Sequence, residues 1–251
     1  MSPPRQTGAA AVVSRDFSAF GDVDAWVFDL DNTLYPRHTN LYIQVDKRIR
    51  DFVQRLLALS EDDAQRVQKD YYRRYGTTLR GLMEEHGITP DDFLEYVHDI
   101  DHSPIEADPV LATAIGGLPG RKFILTNGSR QHAEKVAERL GFTNQFDDIF
   151  DIVRSDLLPK PNKATYDRFI ERTGVAPARA AMFEDLSRNL VVPKALGMRT
   201  VLVIPNGTRE VFHEDWEMEG RDAEHVDYLT DDLGGFLSGV VAANGRKSAT
   251  P

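Results

Sequence analysis

Two aspartates stand two residues apart in the segment Phe28-Asp29-Leu30-Asp31-Asn32-Thr33-Leu34-Tyr35-Pro36, at the end of the apolar run 25–30. Side chains at i and i+2 of an extended chain point to one side, so both carboxylates address one site. Like charges this close repel unless something positive joins them. That favours a bound cation or a lysine over a plain Asx-rich turn. A carboxylate held in this way can act as a nucleophile, and its neighbour can act as a general acid and base. Three other places put oxygen or a cation beside apolar runs. They are Thr126-Asn127 closing the run 121–127, Lys160 in Leu158-Pro159-Lys160-Pro161-Asn162, and Glu184-Asp185 with Asn189 in the segment FEDLSRNL. Taken singly, Lys160 reads as a surface lysine, and Glu184-Asp185 reads equally well as a solvated loop.

The elements that must position these residues alternate in type. The runs 25–30, 121–127, 150–153, 180–185 and 199–204 are apolar throughout, as buried parallel strands are. A sixth run, 225–230, suits an edge. Between them lie helical patterns. Ser129 is placed to cap one that stops at Gly141, and another stops at Gly174. The helix after Glu184-Asp185 contains Pro193, which should kink or shorten it. The alternation predicts an α/β fold, a Rossmann-like parallel sheet with right-handed crossovers, and its ligands belong at the carboxyl ends of the strands. Residues 37–115 carry helix signals and no clear strand. Ser60 with Asp63 approximates a capping box, and Pro90 follows Thr89 at a helix start. The expected organisation is a flexible arm over 1–20, a core over 21–36 and 116–240, an all-helical insert over 37–115, and a flexible tail over 241–251.

The net charge of -10 argues against binding to a nucleic-acid polymer. The chain has no cysteine, which excludes disulfides, thiolate metal sites and cysteine nucleophiles. The histidines show no HExxH spacing for zinc, and no GxxxxGK phosphate loop is present. Asn127-Gly128-Ser129 and Asn206-Gly207-Thr208 match a glycosylation pattern, which means little without a secretory signal. No run approaches the length of a membrane span. A cytoplasmic protein without a membrane partner is expected.

The segment 29–33 resembles the first signature of the haloacid dehalogenase superfamily, DxDxT. Thr126-Asn127, Lys160, and Glu184-Asp185 with Asn189 resemble the other three, in order and on the expected elements. The resemblance covers about residues 25–205. It implies that Asp29 attacks phosphorus to form an aspartyl-phosphate, and that Asp31 is the acid and then the base. It implies Mg²⁺ held by the Asp29 carboxylate, the Asp31 carbonyl and Asp185, with Glu184 or Asn189 in support. Thr126 and the backbone N–H groups near Leu30 and Asn127 would bind phosphate, and Lys160 would neutralise it. Pro161 pushes Lys160 toward an extended conformation. Dehalogenases of the superfamily generally lack the second aspartate, so Asp31 favours phosphate chemistry. The insert resembles the superfamily's first type of cap domain. DNTLYP at 31–36 and YYRRYGTTLRGL at 71–82 resemble the pyrimidine 5′-nucleotidase branch. That branch implies a small nucleoside monophosphate as substrate, with Tyr35 and Arg80 as the side chains that meet it. The alternatives are a phosphatase or phosphomutase acting on a sugar phosphate, and a non-catalytic phosphate sensor.

Overall fold

The computed structural model describes residues 16–205, 220 and 223–248. Its strands are β1 (Ala25–Phe28), β2 (Arg121–Leu125), β3 (Asp148–Phe150), β4 (Ala180–Glu184), β5 (Arg199–Val203) and β6 (Tyr228–Thr230). They form one parallel sheet in the order β3-β2-β1-β4-β5-β6, so the expected Rossmann-like α/β core is present. β1 lies inside the sheet, with Phe28 paired to Ile124 of β2 and to Phe183 of β4. The chain winds one way from β1 through β3 and the other way from β4 through β6. A crevice therefore opens at the carboxyl end of β1, where such sheets take ligands. β6 is the edge strand that the sequence suggests.

The helices are α1 (Leu41–Leu57), α2 (Glu61–Tyr75), α3 (Thr78–His86), α4 (Pro90–His98), α5 (Pro109–Gly117), α6 (Arg130–Leu140), α7 (Lys163–Thr173), α8 (Val191–Ala195) and α9 (Leu233–Ser248). Ser129 caps α6 by accepting the His132 N–H, and Gly141 ends it in the left-handed region at φ 83°. Ser60 caps α2 on the Asp63 N–H. Pro193 lies in α8, which is only five residues long. Among the described residues no helix is long and apolar enough to cross a membrane.

Alternate residues of β1 feed two cores. Trp26 and Phe28 pack with Ile124, Phe183 and Val201 on one face, and Val27 packs with Phe123, Met182 and Phe169 on the other. Helices α1–α4 close a third core of their own around Val53, Leu82, Phe93 and Val97. Each fully buried side chain of this size contributes roughly 1.5–3 kcal/mol. Gly81 lets α3 approach the Tyr71 ring so closely that no side chain would fit between them. The run at 71–82 is therefore, in part, a packing device.

Four boundaries differ from the sequence reading. α5 belongs to the sheet rather than to the helical insert, because Leu111, Ala114 and Ile115 join the core that holds Phe236 and Leu237 of α9. The insert thus ends near His98 instead of residue 115. The stretch 241–251, read as a flexible tail, continues α9 through Ser248, with Val241 packed on the core. Phe20 is buried, and its ring lies 6.0 Å from Trp26, so the arm read over 1–20 is docked at this end. Residues 1–15 and Asn206-Gly207-Thr208 lie outside the described residues. The strand read at 150–153 is shifted to 148–150. Asp151 ends it, since its carboxylate accepts the N–H groups of Arg130 and Arg154 at 3.0 Å each.

Candidate active site

The end of β1 fixes Asp29 through its backbone. Its N–H donates to the Phe183 carbonyl at 2.9 Å, which extends the ladder one residue beyond the strand. The Leu30 carbonyl then accepts the N–H groups of Thr33 at 3.3 Å and Leu34 at 3.0 Å. That turn brings the Thr33 hydroxyl back to Asp29 Oδ2 at 3.1 Å. Leu30 itself is buried in the core.

Lys160 is not a surface lysine. Its side chain is 1% exposed, and Nζ donates to Asp29 Oδ1 at 2.6 Å, Glu184 Oε1 at 2.7 Å and the Leu125 carbonyl at 2.8 Å. Asn127 clamps its backbone. Oδ1 accepts the Lys160 N–H at 2.8 Å, and Nδ2 donates to the Lys160 carbonyl at 3.3 Å. Glu184 also accepts from Asn189 Nδ2 at 2.7 Å and from the Leu186 N–H at 2.9 Å. Glu184 therefore orients Lys160 and Asn189. Buried Thr126 accepts the Gly128 N–H at 2.9 Å on its hydroxyl oxygen, which leaves that hydroxyl able to donate.

Among the described residues, Asp29, Glu184 and Asp185 place carboxylate oxygens within 4.8 Å of one another and are the group that could hold a metal ion. Burial pushes the Asp29 carboxyl up to about 7 against the pull of Lys160, with repulsion from Glu184 and Asp31 adding to the rise. Burial, then Glu184 and Asp29, push Asp185 well above the carboxylate range, although Arg37 donates to its Oδ2 at 3.0 Å. A hard divalent cation would relieve both the burial and the repulsion, and carboxylate oxygens suit it. Since Glu184 is already engaged by three donors, Asp29 and Asp185 fit such an ion best.

Asp31 is held differently. Its Oδ1 accepts from the Tyr35 hydroxyl at 2.5 Å and from His132 Nε2 at 2.9 Å. Burial alone would raise its carboxyl, but His132 and Tyr35 hold it down at about 2. His132 is itself buried. The His98 ring stacks on it at 4.7 Å, and His102 Nε2 lies 3.3 Å from its Nδ1. Sequence reasoning missed all three histidines, together with Arg37.

Burial, then His132, pushes His98 down to about 4, with His102 adding and Asp31 and the Leu94 carbonyl opposing. An unfolded histidine binds its proton near 6.5 and the folded one only near 4. The stabilisation from neutral His98 is therefore complete above about pH 6.5 and is lost as pH falls toward about 4. Urea unfolding at about pH 7.5 and pH 4.5 should show wild type losing more stability than His98→Gln. An equal loss in both proteins would remove His98 as the source, because every other group titrates in both.

The helical unit meets the core beside this site. A side chain at Gly76, in the turn between α2 and α3, would come within 2.9 Å of Pro159, the residue before Lys160. Tyr72 of α2 bonds Arg188, whose guanidinium lies 4.6 Å over the Tyr72 ring, one residue before Asn189. Ile152 and Leu157 pack into the helical core. Tyr35 reaches the site through Asp31. Arg80 is engaged elsewhere, in an ion pair with Glu84 of its own helix.

Residues 23–197 match the model of the haloacid dehalogenase-like hydrolase family. The chain is 27% identical over 193 residues to phosphate metabolism protein 8 of Saccharomyces cerevisiae, across 70% of this chain and 60% of that protein. It thus spans about 60% of the length of that curated relative. Among solved structures it is similar to a HAD phosphatase from Thermococcus onnurineus, with a TM-score of 0.56, 20% identity, and coverage of 86% of this chain and 97% of that one. It is likewise similar to L-2-haloacid dehalogenase from Xanthobacter autotrophicus, with a TM-score of 0.54, 19% identity and the same coverage of 86% and 97%. At these identities the two structures speak to the fold. The family match spans most of the described core together with Asp29, Asp31, Lys160, Glu184 and Asp185, and the chain belongs to the haloacid dehalogenase-like hydrolase family.

Proposed function

We propose that the chain is a Mg²⁺-dependent phosphomonoesterase acting on pyrimidine nucleoside 5′-monophosphates, UMP and CMP before AMP and GMP. The observation that carries the phosphatase reading is the pairing of a lysine-held carboxylate, Asp29, with a second hydrogen-bonded carboxylate, Asp31, at the mouth of the same strand. Asp29 attacks phosphorus and the P–O ester bond breaks. The bond electrons leave with the ester oxygen, which takes a proton from Asp31. Phosphate beside Asp31 is a like charge that pushes its carboxyl up toward the protonated form this step needs. Water then attacks the aspartyl-phosphate while Asp31 takes its proton, which frees phosphate and restores Asp29. Mg²⁺, held by Asp29, Asp185 and the Asp31 carbonyl, would supply charge neutralisation for nucleophile and phosphate. Thr126 and the N–H groups near Leu30 and Asn127 bind the phosphate oxygens, and residues 41–98 act as a cap that excludes water. The name of the yeast relative, a phosphate metabolism protein, agrees with this chemistry.

Support for the base preference comes from the segments 31–36 and 71–82. The core groups touch only phosphate, metal and leaving oxygen, so selectivity must come from the cap and from the segment after Asp31, where Tyr35 itself is buried and acts through Asp31. A pocket sized for one ring rejects two-ring bases by overlap. The engagement of Arg80 with Glu84 favours, as a second reading, another small phosphate ester such as a sugar phosphate. Phosphate release from the four nucleotides, a sugar phosphate and an aryl phosphate, with Mg²⁺ or with excess chelator, tests these points. The expected result is a pyrimidine preference of about tenfold or more in kcat/KM, a changed ranking in Arg80→Ala, and no turnover in chelator. Equal values for purines and pyrimidines would remove the base preference and leave the phosphatase. Full activity in chelator would remove the metal.

A further inference from the structure

We infer that His132 is a positioning residue for the acid and base chemistry: with Tyr35 it pins Oδ1 of Asp31, so that Oδ2 is the oxygen presented to the leaving group and to water. The inference rests on the phosphatase reading above. Two donors converge on a single oxygen, Tyr35 hydroxyl at 2.5 Å and His132 Nε2 at 2.9 Å. Because an ionised carboxylate only accepts, Nε2 is the nitrogen that carries the hydrogen. A carboxylate fixed at one oxygen from two directions has little freedom to rotate, and its other oxygen is directed.

His132 is itself held on several sides. Its backbone N–H donates to the Ser129 hydroxyl at 3.3 Å, which sets the first turn of α6. Its ring lies within 19° of parallel to His98, and its Nδ1 meets His102 Nε2 at 3.3 Å. His98 is locked in turn, with Nδ1 2.9 Å from the Leu94 carbonyl and 3.1 Å from the Ser129 hydroxyl. The imidazole that aims Asp31 is thus braced by α4 of the helical unit and by the crossing segment after it. An imidazole that only filled space would not need its Nε2 directed at this carboxylate. Misplacing a reacting group by about 1 Å can cost about 10²-fold in rate.

The test uses the full chain with Mg²⁺, and compares wild type, His132→Leu and His132→Gln on an alkyl phosphate and on p-nitrophenyl phosphate. kcat/KM reads the steps through departure of the leaving group. A poor alkoxide leaving group needs the acid, whereas nitrophenolate needs it far less. His132→Leu should lower kcat/KM for the alkyl ester by about 10²-fold, and the loss on the aryl ester should be smaller by about tenfold or more. His132→Gln keeps an N–H donor at similar reach and should recover much of the alkyl activity. Equal losses on both esters, or no loss on either, would overturn the positioning role. A second readout needs no turnover. The His132 Nε2–H should appear as a downfield, slowly exchanging proton resonance and disappear in Asp31→Ala. Its absence from wild type overturns this inference and leaves the phosphatase reading intact. Failure of wild type to hydrolyse either ester overturns that reading, and the positioning role with it, even where the resonance is seen.

Discussion

Replacing Asp29 by asparagine is expected to lower turnover by about 10⁴-fold or more, the scale on which removal of a nucleophile acts, with the fold retained. The amide oxygen can still accept from Lys160, which donates to Oδ1 of Asp29 at 2.6 Å, and the amide NH2 in place of Oδ2 can donate to the Thr33 hydroxyl oxygen, which lies 3.1 Å from that position. What the amide cannot do is attack phosphorus. Two measurements separate chemistry from collapse. Phosphate release should fall to the background of the buffer, and circular dichroism should overlay wild type. Acid quenching during turnover of a labelled phosphate ester should trap label on wild type and none on the variant. Substantial residual turnover in protein free of contaminating phosphatase would remove Asp29 from the nucleophile's role.

The second large effect is on stability. Lys160→Ala should destabilise the metal-free protein by about 3–5 kcal/mol, the cost of leaving buried charges without their partner. Nζ donates to Asp29, Glu184 and the Leu125 carbonyl, and the side chain is 1% exposed. Removing it leaves Asp29 and Glu184 facing each other with Asp185 beside them. Urea unfolding measures the loss. Adding Mg²⁺ should recover part of it, because a cation that binds only the folded state stabilises that state. A destabilisation below about 1 kcal/mol would mean that the carboxylates are compensated by something other than this lysine.

Much of this site was legible in the sequence because its spacing is local. Asp29 and Asp31 follow an apolar run at i and i+2, and the strand period alone puts them on one side. Thr126, Lys160 and Glu184-Asp185 are bland one by one and gain meaning from their order, which the fold turns into proximity. The misses have a common physical cause. The part played by His132 depends on how α6 is rotated against the turn 31–35, a contact 101 residues apart in sequence that no periodicity encodes. Arg37 meets Asp185 across a separation of 148 residues. Asn127 and Glu184 were read for phosphate and metal, and the structure shows first that they hold Lys160. In the fold, α5 has a helical pattern that says nothing about which core it joins. α9 is rich in glycine and was read as a flexible tail from 241 on, yet the helix runs to Ser248 and Val241 packs on the core.

Because β1 lies inside the sheet, every group that meets Asp29 or Asp31 from another element must be brought from far along the chain. Lys160 reaches Asp29 across 131 residues, and His132 reaches Asp31 across 101. Helices α1–α4, by contrast, draw most of their core from residues 49–97, with Ile152 and Leu157 joining from outside that span. Contacts of long separation form late and slowly compared with local ones. Helix content is therefore no measure of competence in this chain: during refolding, ellipticity should return before catalysis does. A nascent or truncated chain that holds β1 and the helical unit presents Asp29 without Lys160 or Asp185, and it is expected to release no phosphate in the assay proposed above. Active molecules are those in which the whole sheet has closed.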